Sequence, residues 1–290
     1  MKHLSVSPTT IHHSLFTLSI TALVLLSACT NGDKNGFRIE GTIANGAGKM
    51  MYIEELTPDG PHFLDSIALN GKGEFAYKGH YDYQTFFNLH TSNVDYVVLL
   101  PYSGENIKIT GVYDSLSLSY SVEGSKESIA LWQLQDYSNY GNYKLRDIVA
   151  EDHANRERFG IKTIQADDSI ETLGDTAGYR MAKKKTDSLY REAYDEQVMY
   201  ITQFLQDNKG SLATLIALYK PFNGSHPIID IDRYPELFTC YEEVLEGLES
   251  DERTATNPHT VAFKNTVERV RFQVERRKPQ ASSFSLTPAQ

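Results

Sequence analysis

The side chains with the greatest chemical reach in this 290-residue sequence are two cysteines, Cys29 and Cys240. Thiol–disulfide exchange needs an activated attacking thiolate and a resolving thiol close behind it. Two cysteines this far apart offer no Cys-x-x-Cys pair, no cysteine zinc cluster and no disulfide framework. Cys240, in an apolar helical stripe between Phe238 and Tyr241, reads as a small core hydrophobe. The histidines His62, His80, His90, His153, His226 and His259 include no pair at i, i+4 and no His-Glu-x-x-His, so no zinc hydrolase site is visible. Asp230-Ile231-Asp232 and Asp167-Asp168 carry oxygen ligands for calcium but lack the glycine and ligand spacing of a binding loop, and read as solvated acidic turns. Gly46-Ala47-Gly48-Lys49 invites a phosphate-loop reading, yet Met50 stands where Ser or Thr is needed and a strand pattern follows. A hairpin turn is expected there instead. No Gly-x-Ser-x-Gly elbow is present. The chain therefore reads as non-enzymatic, with no cofactor expected.

Two features point to binding or modification. The sequence holds 18 Tyr, 13 Phe and 1 Trp, and Trp132, Tyr137, Tyr140 and Tyr143 fall close together. Such a cluster can stack on sugar rings or dock a protein partner, or simply pack helix against sheet. Triplets of Asp, Ser or Thr and an apolar residue recur at Asp65-Ser66-Ile67, Asp114-Ser115-Leu116, Asp168-Ser169-Ile170, Asp175-Thr176-Ala177 and Asp187-Ser188-Leu189. They resemble the O-glycosylation acceptors of certain Gram-negative periplasms, with Ser169, Thr176 and Ser188 the candidate sites, although Asp/Ser turn chemistry gives the same pattern.

The elements that would position these groups begin with an address. Residues 1–28 combine Lys2, His3, His12 and His13 with an apolar run from Leu15 to Leu26. That run is shorter than the roughly 20 residues of a membrane span and suits a secretory signal. Leu26-Ser27-Ala28-Cys29 resembles the lipobox of bacterial lipoproteins, which implies cleavage between Ala28 and Cys29 and acylation of Cys29, palmitate included. Acyl chains contribute about 0.8 kcal/mol per buried methylene, and several together hold a protein to a bilayer. Residues 29–36 read as a flexible tether without an acidic run after the cysteine, and the periplasmic face of the outer membrane is the expected location. With a net charge of −10, 23% charged and 40% hydrophobic residues, the body is globular and carries no basic stripe for nucleic acid. An acidic body implies tethering by lipid, not by a basic patch.

From Phe37 to Gly124 the apolar period is two. Phe37, Ile39, Ile43, Met51, Ile53, Phe63, Ile67 and Leu69 alternate with polar residues, and turns are expected at Asn45–Gly48, Thr57–Pro61 and Asn70–Gly73, whose glycines permit positive φ. Further runs at 86–89, 94–100, 107–109 and 118–122 make about eight short strands, the pattern of an antiparallel β-sandwich or barrel. After Gly124 the period becomes helical: Ser125 is an N-cap, residues 151–185 are a polar, loose or extended helical stretch, and one-sided stripes follow. These are Tyr194/Val198/Ile201/Leu205, Leu212/Leu215/Ile216/Tyr219 (stopped by Pro221), Phe238/Tyr241/Leu245/Leu248, and Phe263/Val267/Val270/Val274 behind an Asn257-Pro258 cap. The expected class is α+β, with a β domain at 37–124, an α-helical domain at 125–275 and a tail at 276–290.

The segments 37–43, Asp65-Ser66 before 70–75, 107–111, Val122-Glu123-Gly124-Ser125 and 211–219 together resemble, over roughly residues 37–275, the uncharacterised N-terminal β domain and helical spacer of bacterial lipoproteins that end in a thioredoxin-like domain. The tail 280–288 is similar to the first strand leading into such a domain, yet the family's Cys-x-x-Cys has no counterpart before Gln290. The expected function is thus a non-catalytic, lipid-anchored envelope protein that binds or scaffolds an envelope protein or glycan. The alternatives are a thiol–disulfide oxidoreductase lacking its redox domain and a glycan-binding module.

Overall fold

Period-two alternation makes each strand two-faced, and the described strands use it to build two stacked sheets. The computed structural model describes residues 35–166, 169–222, 224 and 226–277. Its first eight strands are β1 (Gly36–Ala44), β2 (Met50–Thr57), β3 (Gly60–Ala68), β4 (Glu74–His80), β5 (Phe86–Ser92), β6 (Asp95–Leu99), β7 (Asn106–Val112) and β8 (Ser121–Glu123). They form two four-stranded sheets in the orders β4-β1-β7-β8 and β3-β2-β5-β6. All of these pairings are antiparallel except the parallel pair β1–β7. Neither sheet closes on itself, so the β region is an open sandwich and not a barrel. Phe37, Ile39 and Ile43 of β1 and Ile107 and Ile109 of β7 share one buried core with Met51 and Ile53 of β2, Phe87 and Leu89 of β5, and Leu99 of β6.

Backbone proximity sets one residue choice. A Cβ added at Gly41 would lie 1.9 Å from the Ile109 carbonyl oxygen across the β1–β7 pair. In the Asn70–Gly73 turn only Gly73 has positive φ (77°). The Asn70 side chain holds that turn, its Oδ1 accepting from the amides of Lys72 (2.8 Å) and Glu74 (3.0 Å).

The run 118–122, expected as a strand, is paired only from Ser121; a short helix, α1 (Leu116–Ser119), precedes it. The Asp95 carboxylate caps this turn, accepting from the amides of Leu116 (3.0 Å) and Ser117 (2.8 Å) while Thr91 Oγ1 donates to it at 2.8 Å. Desolvation pushes the Asp95 carboxyl up, but the Ser117 and Leu116 amides and the Thr91 hydroxyl outweigh it and hold it below the usual range. Leu116, fully buried in the sandwich core, anchors the turn.

The helices are α2 (Lys126–Arg158), α3 (Thr176–Asp207), α4 (Ala213–Leu218), α5 (Phe238–Ser250) and α6 (Pro258–Arg277). Ser125 Oγ accepts from the Ser128 amide at 3.2 Å and Asn257 Oδ1 from the His259 amide at 2.9 Å, as N-caps do. The polar stretch 151–185 is not one loose helix. α2 runs on to Arg158, a hairpin of β9 (Lys162–Ala166) and β10 (Ser169–Leu173) intervenes, and α3 starts behind Asp175, whose Oδ1 accepts from the Gly178 amide at 2.8 Å. Two five-residue strands with few apolar residues leave little periodic signal. α2 and α3 run antiparallel: Tyr137 stacks on Tyr200 with ring centroids 3.5 Å apart, and Asp152 accepts from Tyr179 and Thr186.

The helical core takes Leu131 and Leu134 from α2, Ile201 and Leu205 from α3, Val244 and Leu248 from α5, and Phe263 and Val267 from α6. It also takes Phe86 from β5 and Leu100 just after β6, so the β3-β2-β5-β6 sheet contributes to both cores through these strands. The described residues belong to one compact unit. Among the described residues no helix is long and apolar enough to cross a membrane. Asp95→Ala should lower unfolding stability by about 1–3 kcal/mol by orphaning two amides. Gly41→Ala should lower it by more, because backbone must move; denaturant titrations of both variants check the order.

Candidate functional site

The strand alternation that turns Ile53, Phe87 and Leu89 inward turns Glu54, Leu56, Phe86 and Asn88 outward, in register as Glu54↔Asn88 and Leu56↔Phe86. The helices do not cover this outer face completely. Between them lies a cleft of about 660 Å³, within the range of roughly 300–1,000 Å³ common for small-molecule sites. Strands β2, β5 and β6 supply Glu54, Leu56, Phe86, Asn88, Tyr96 and Val98 to its walls. The helices supply Leu131 and Gln135 from α2, Leu215 and Ile216 from α4, and His259, Ala262 and Phe263 from α6. Tyr219-Lys220-Pro221, where α4 ends, completes it.

Lys220 is the chemically unusual residue. Part of its surface stays accessible, but its ammonium is drawn inward to donate to Gln135 Oε1 at 2.6 Å. Loss of hydration there pushes the amine down to about 8. Among the described residues no carboxylate forms an ion pair with it. The acid that shares the cleft, Glu54, is engaged on the sheet: Asn88 Nδ2 donates to its Oε2 at 3.3 Å, and His90 Nε2 lies 3.6 Å from its Oε1. Asn88 Oδ1 and both ring nitrogens of His90 are buried without hydrogen-bond partners.

His259 has a defined protonation state. Thr85 Oγ1 donates its single proton to the Leu56 carbonyl at 2.7 Å and lies 2.8 Å from His259 Nε2. The hydroxyl can then only accept from the ring, which assigns the Nε2–H tautomer. Burial pushes this imidazole down to about 4, so it is neutral at pH 7.

Cys29, Ala28, the signal and tether up to residue 34, Asp167-Asp168 and the tail from 278 lie outside the described residues. Trp132 packs against the sandwich core and donates its indole N–H to the Tyr120 carbonyl at 2.8 Å. Tyr137 donates to the Glu196 carbonyl at 3.3 Å and stacks on Tyr200, with Tyr140 6.4 Å away. Tyr140 and Tyr143 are exposed, the latter beside the Arg146 guanidinium. Ser169 begins β10, Thr176 is exposed at the start of α3, and Ser188 donates to Glu192 at 3.1 Å. Asp230 Oδ1 accepts from the amides of Asp232 and Arg233, making the expected turn. Cys240 is a buried free thiol, pushed up to about 11 by burial. The described residues hold no group of three or more His, Cys, Asp or Glu able to bind a metal ion. Lys220, Gln135, Asn88 and His259 carried no spacing signal in the sequence; the only hint is a lysine closing an apolar stripe directly before Pro221.

Residues 37–131 match a family described as a domain of unknown function, DUF4369. The match spans the sandwich and the first turns of α2, and so contains the strand wall of the cleft and Leu131. No curated protein and no solved structure matches the chain.

The His259 imidazole gives the cleft a pH dependence. Its folded pKa, about 4, lies below the unfolded value near 6.5, so the folded state binds fewer protons between them and loses stability as pH falls through that window. Denaturant unfolding of wild type against His259→Gln at pH 7 and pH 4.5 should show an additional wild-type loss on the order of 2 kcal/mol at the lower pH.

Proposed function

We propose that the protein is a non-catalytic binding module of the bacterial cell envelope, held to a membrane by lipid on Cys29, that takes a small, mostly apolar ligand in the cleft between its second sheet and its helices. The carrying observation is the cleft: apolar walls around Lys220 and Asn88, whose charge and carbonyl oxygen go largely unanswered inside the protein. Folded proteins seldom leave buried polar groups unpartnered, and sites of this kind use a few such groups to orient an apolar ligand. The anchor rests on the Leu26-Ser27-Ala28-Cys29 resemblance, and the periplasmic face of the outer membrane remains the preferred location. Kinship with the N-terminal part of thioredoxin-like lipoproteins rests on the sequence resemblance alone; the DUF4369 match covers the same N-terminal β region. Cys240, a buried thiol raised to about 11, supplies no thiolate at neutral pH, which argues against redox chemistry at this residue. The glycan alternative is weakened by Tyr137 and Trp132, which are engaged by Tyr200 and Tyr120.

Two measurements test this reading. Metabolic labelling with palmitate should mark the wild type and leave Cys29→Ser unlabelled and released from membranes; label on Cys29→Ser would overturn the anchor. Titration of the full-length Cys29→Ser chain with a neutral solvatochromic dye should saturate at one site and be lost in Ala262→Trp, which fills the cleft. Unsaturable binding, or binding unchanged by that substitution, would overturn the cleft.

A further inference from the structure

We infer that the cleft is a carboxylate site: its ligand is a monocarboxylate with an apolar body, the carboxylate meeting the Lys220 ammonium and the body lying against Leu56, Phe86, Val98, Ile216 and Phe263. This rests on the cleft reading above and adds the ligand's chemistry.

An ammonium withdrawn from water is costly unless a countercharge replaces its hydration. Lys220 has three donor protons, and Gln135 Oε1 takes one. Lys220 lines the cleft, whose one carboxylate among the lining residues, Glu54, is turned to Asn88 and His90. One cation with one neutral partner suits a singly charged group; among the lining residues no arginine and no second lysine is present to meet a phosphate dianion. The whole chain carries a net charge of −10, so no general field draws anions to this protein. Selectivity for a carboxylate would have to come from Lys220 itself.

The other titratable groups around the cleft are Glu54 from β2, Tyr96 from β6, His259 from α6, and Tyr120 and Tyr219 from flanking segments. His259 is neutral above about pH 4, and burial raises Tyr120 and Tyr219 above the ordinary tyrosine value. In the empty protein Lys220 loses its charge near pH 8, where a carboxylate is fully ionised. The carboxylate preference should therefore be complete below that pH and fall about tenfold per unit above it, until the raised pKa of the occupied state is reached.

The test is calorimetric titration of the full-length Cys29→Ser chain with decanoate, decanol and decyltrimethylammonium, each below its micelle concentration. Decanoate should bind about tenfold or more tightly than decanol at pH 7, and the cation least. That preference should vanish in Lys220→Met, persist in Lys108→Met on the exposed face of β7, and fade in the wild type between pH 8 and 9.5. The pH arm needs no substitution and stands if Lys220→Met fails to fold. Equal binding of decanoate and decanol would overturn the carboxylate assignment and leave the cleft reading intact. Binding of neither would overturn both. Decanoate binding that survives Ala262→Trp would place the anion elsewhere and overturn the assignment.

Discussion

The β3-β2-β5-β6 sheet must satisfy two cores at once, and most of the molecule's organisation follows from that demand. Its inner residues, Met51, Ile53, Phe87, Leu89, Val97 and Leu99, close the sandwich. Outward-facing Phe86, with Leu100 just after β6, seeds the helical core. A sheet with one wet face could tolerate any polar residue on that face. Where helices lie on that face it cannot, because each outward polar group there must find a partner under the helices or face a gap between them.

The outer face of β2 and β5 mixes both kinds of residue. Leu56 and Phe86 pack under the helices, whereas Glu54, Asn88 and His90 form a small polar group whose internal bonds leave three acceptor or donor atoms unanswered. Helices α2, α4 and α6 meet this face without filling it, and the cleft is the remainder. Lys220 enters from the other side, where Pro221 stops the α4 stripe and Gln135 receives its ammonium. Leaving polar groups partly desolvated without partners costs stability. In the proposed reading, the ligand offsets that cost.

A lipid tether and a ligand cleft make a consistent physical pair. In the proposed reading, acyl chains on Cys29 would confine the protein to a bilayer surface, and a cleft on its folded body would act on whatever small molecules reach that surface. Cys240 adds no redox chemistry to this arrangement: buried beside Phe238 and Tyr241, it behaves as a packing residue.

The sequence by itself determined the α+β class, the strand runs from Phe37 to Ile109, the caps at Ser125 and Asn257 and the apolar stripes of the later helices, because alternation, helical period and capping are local and leave a mark within a few residues. It missed α1 and the β9–β10 hairpin, since Asp95 caps Leu116 from 21 residues away and two short polar strands have almost no period to read. The cleft was illegible for the same reason on a larger scale. Lys220 and Gln135 stand 85 residues apart, Thr85 and His259 stand 174 apart, and no spacing rule joins them. Only packing the helices onto the outer face of the second sheet brings those side chains to one place and draws the Lys220 ammonium partly out of water.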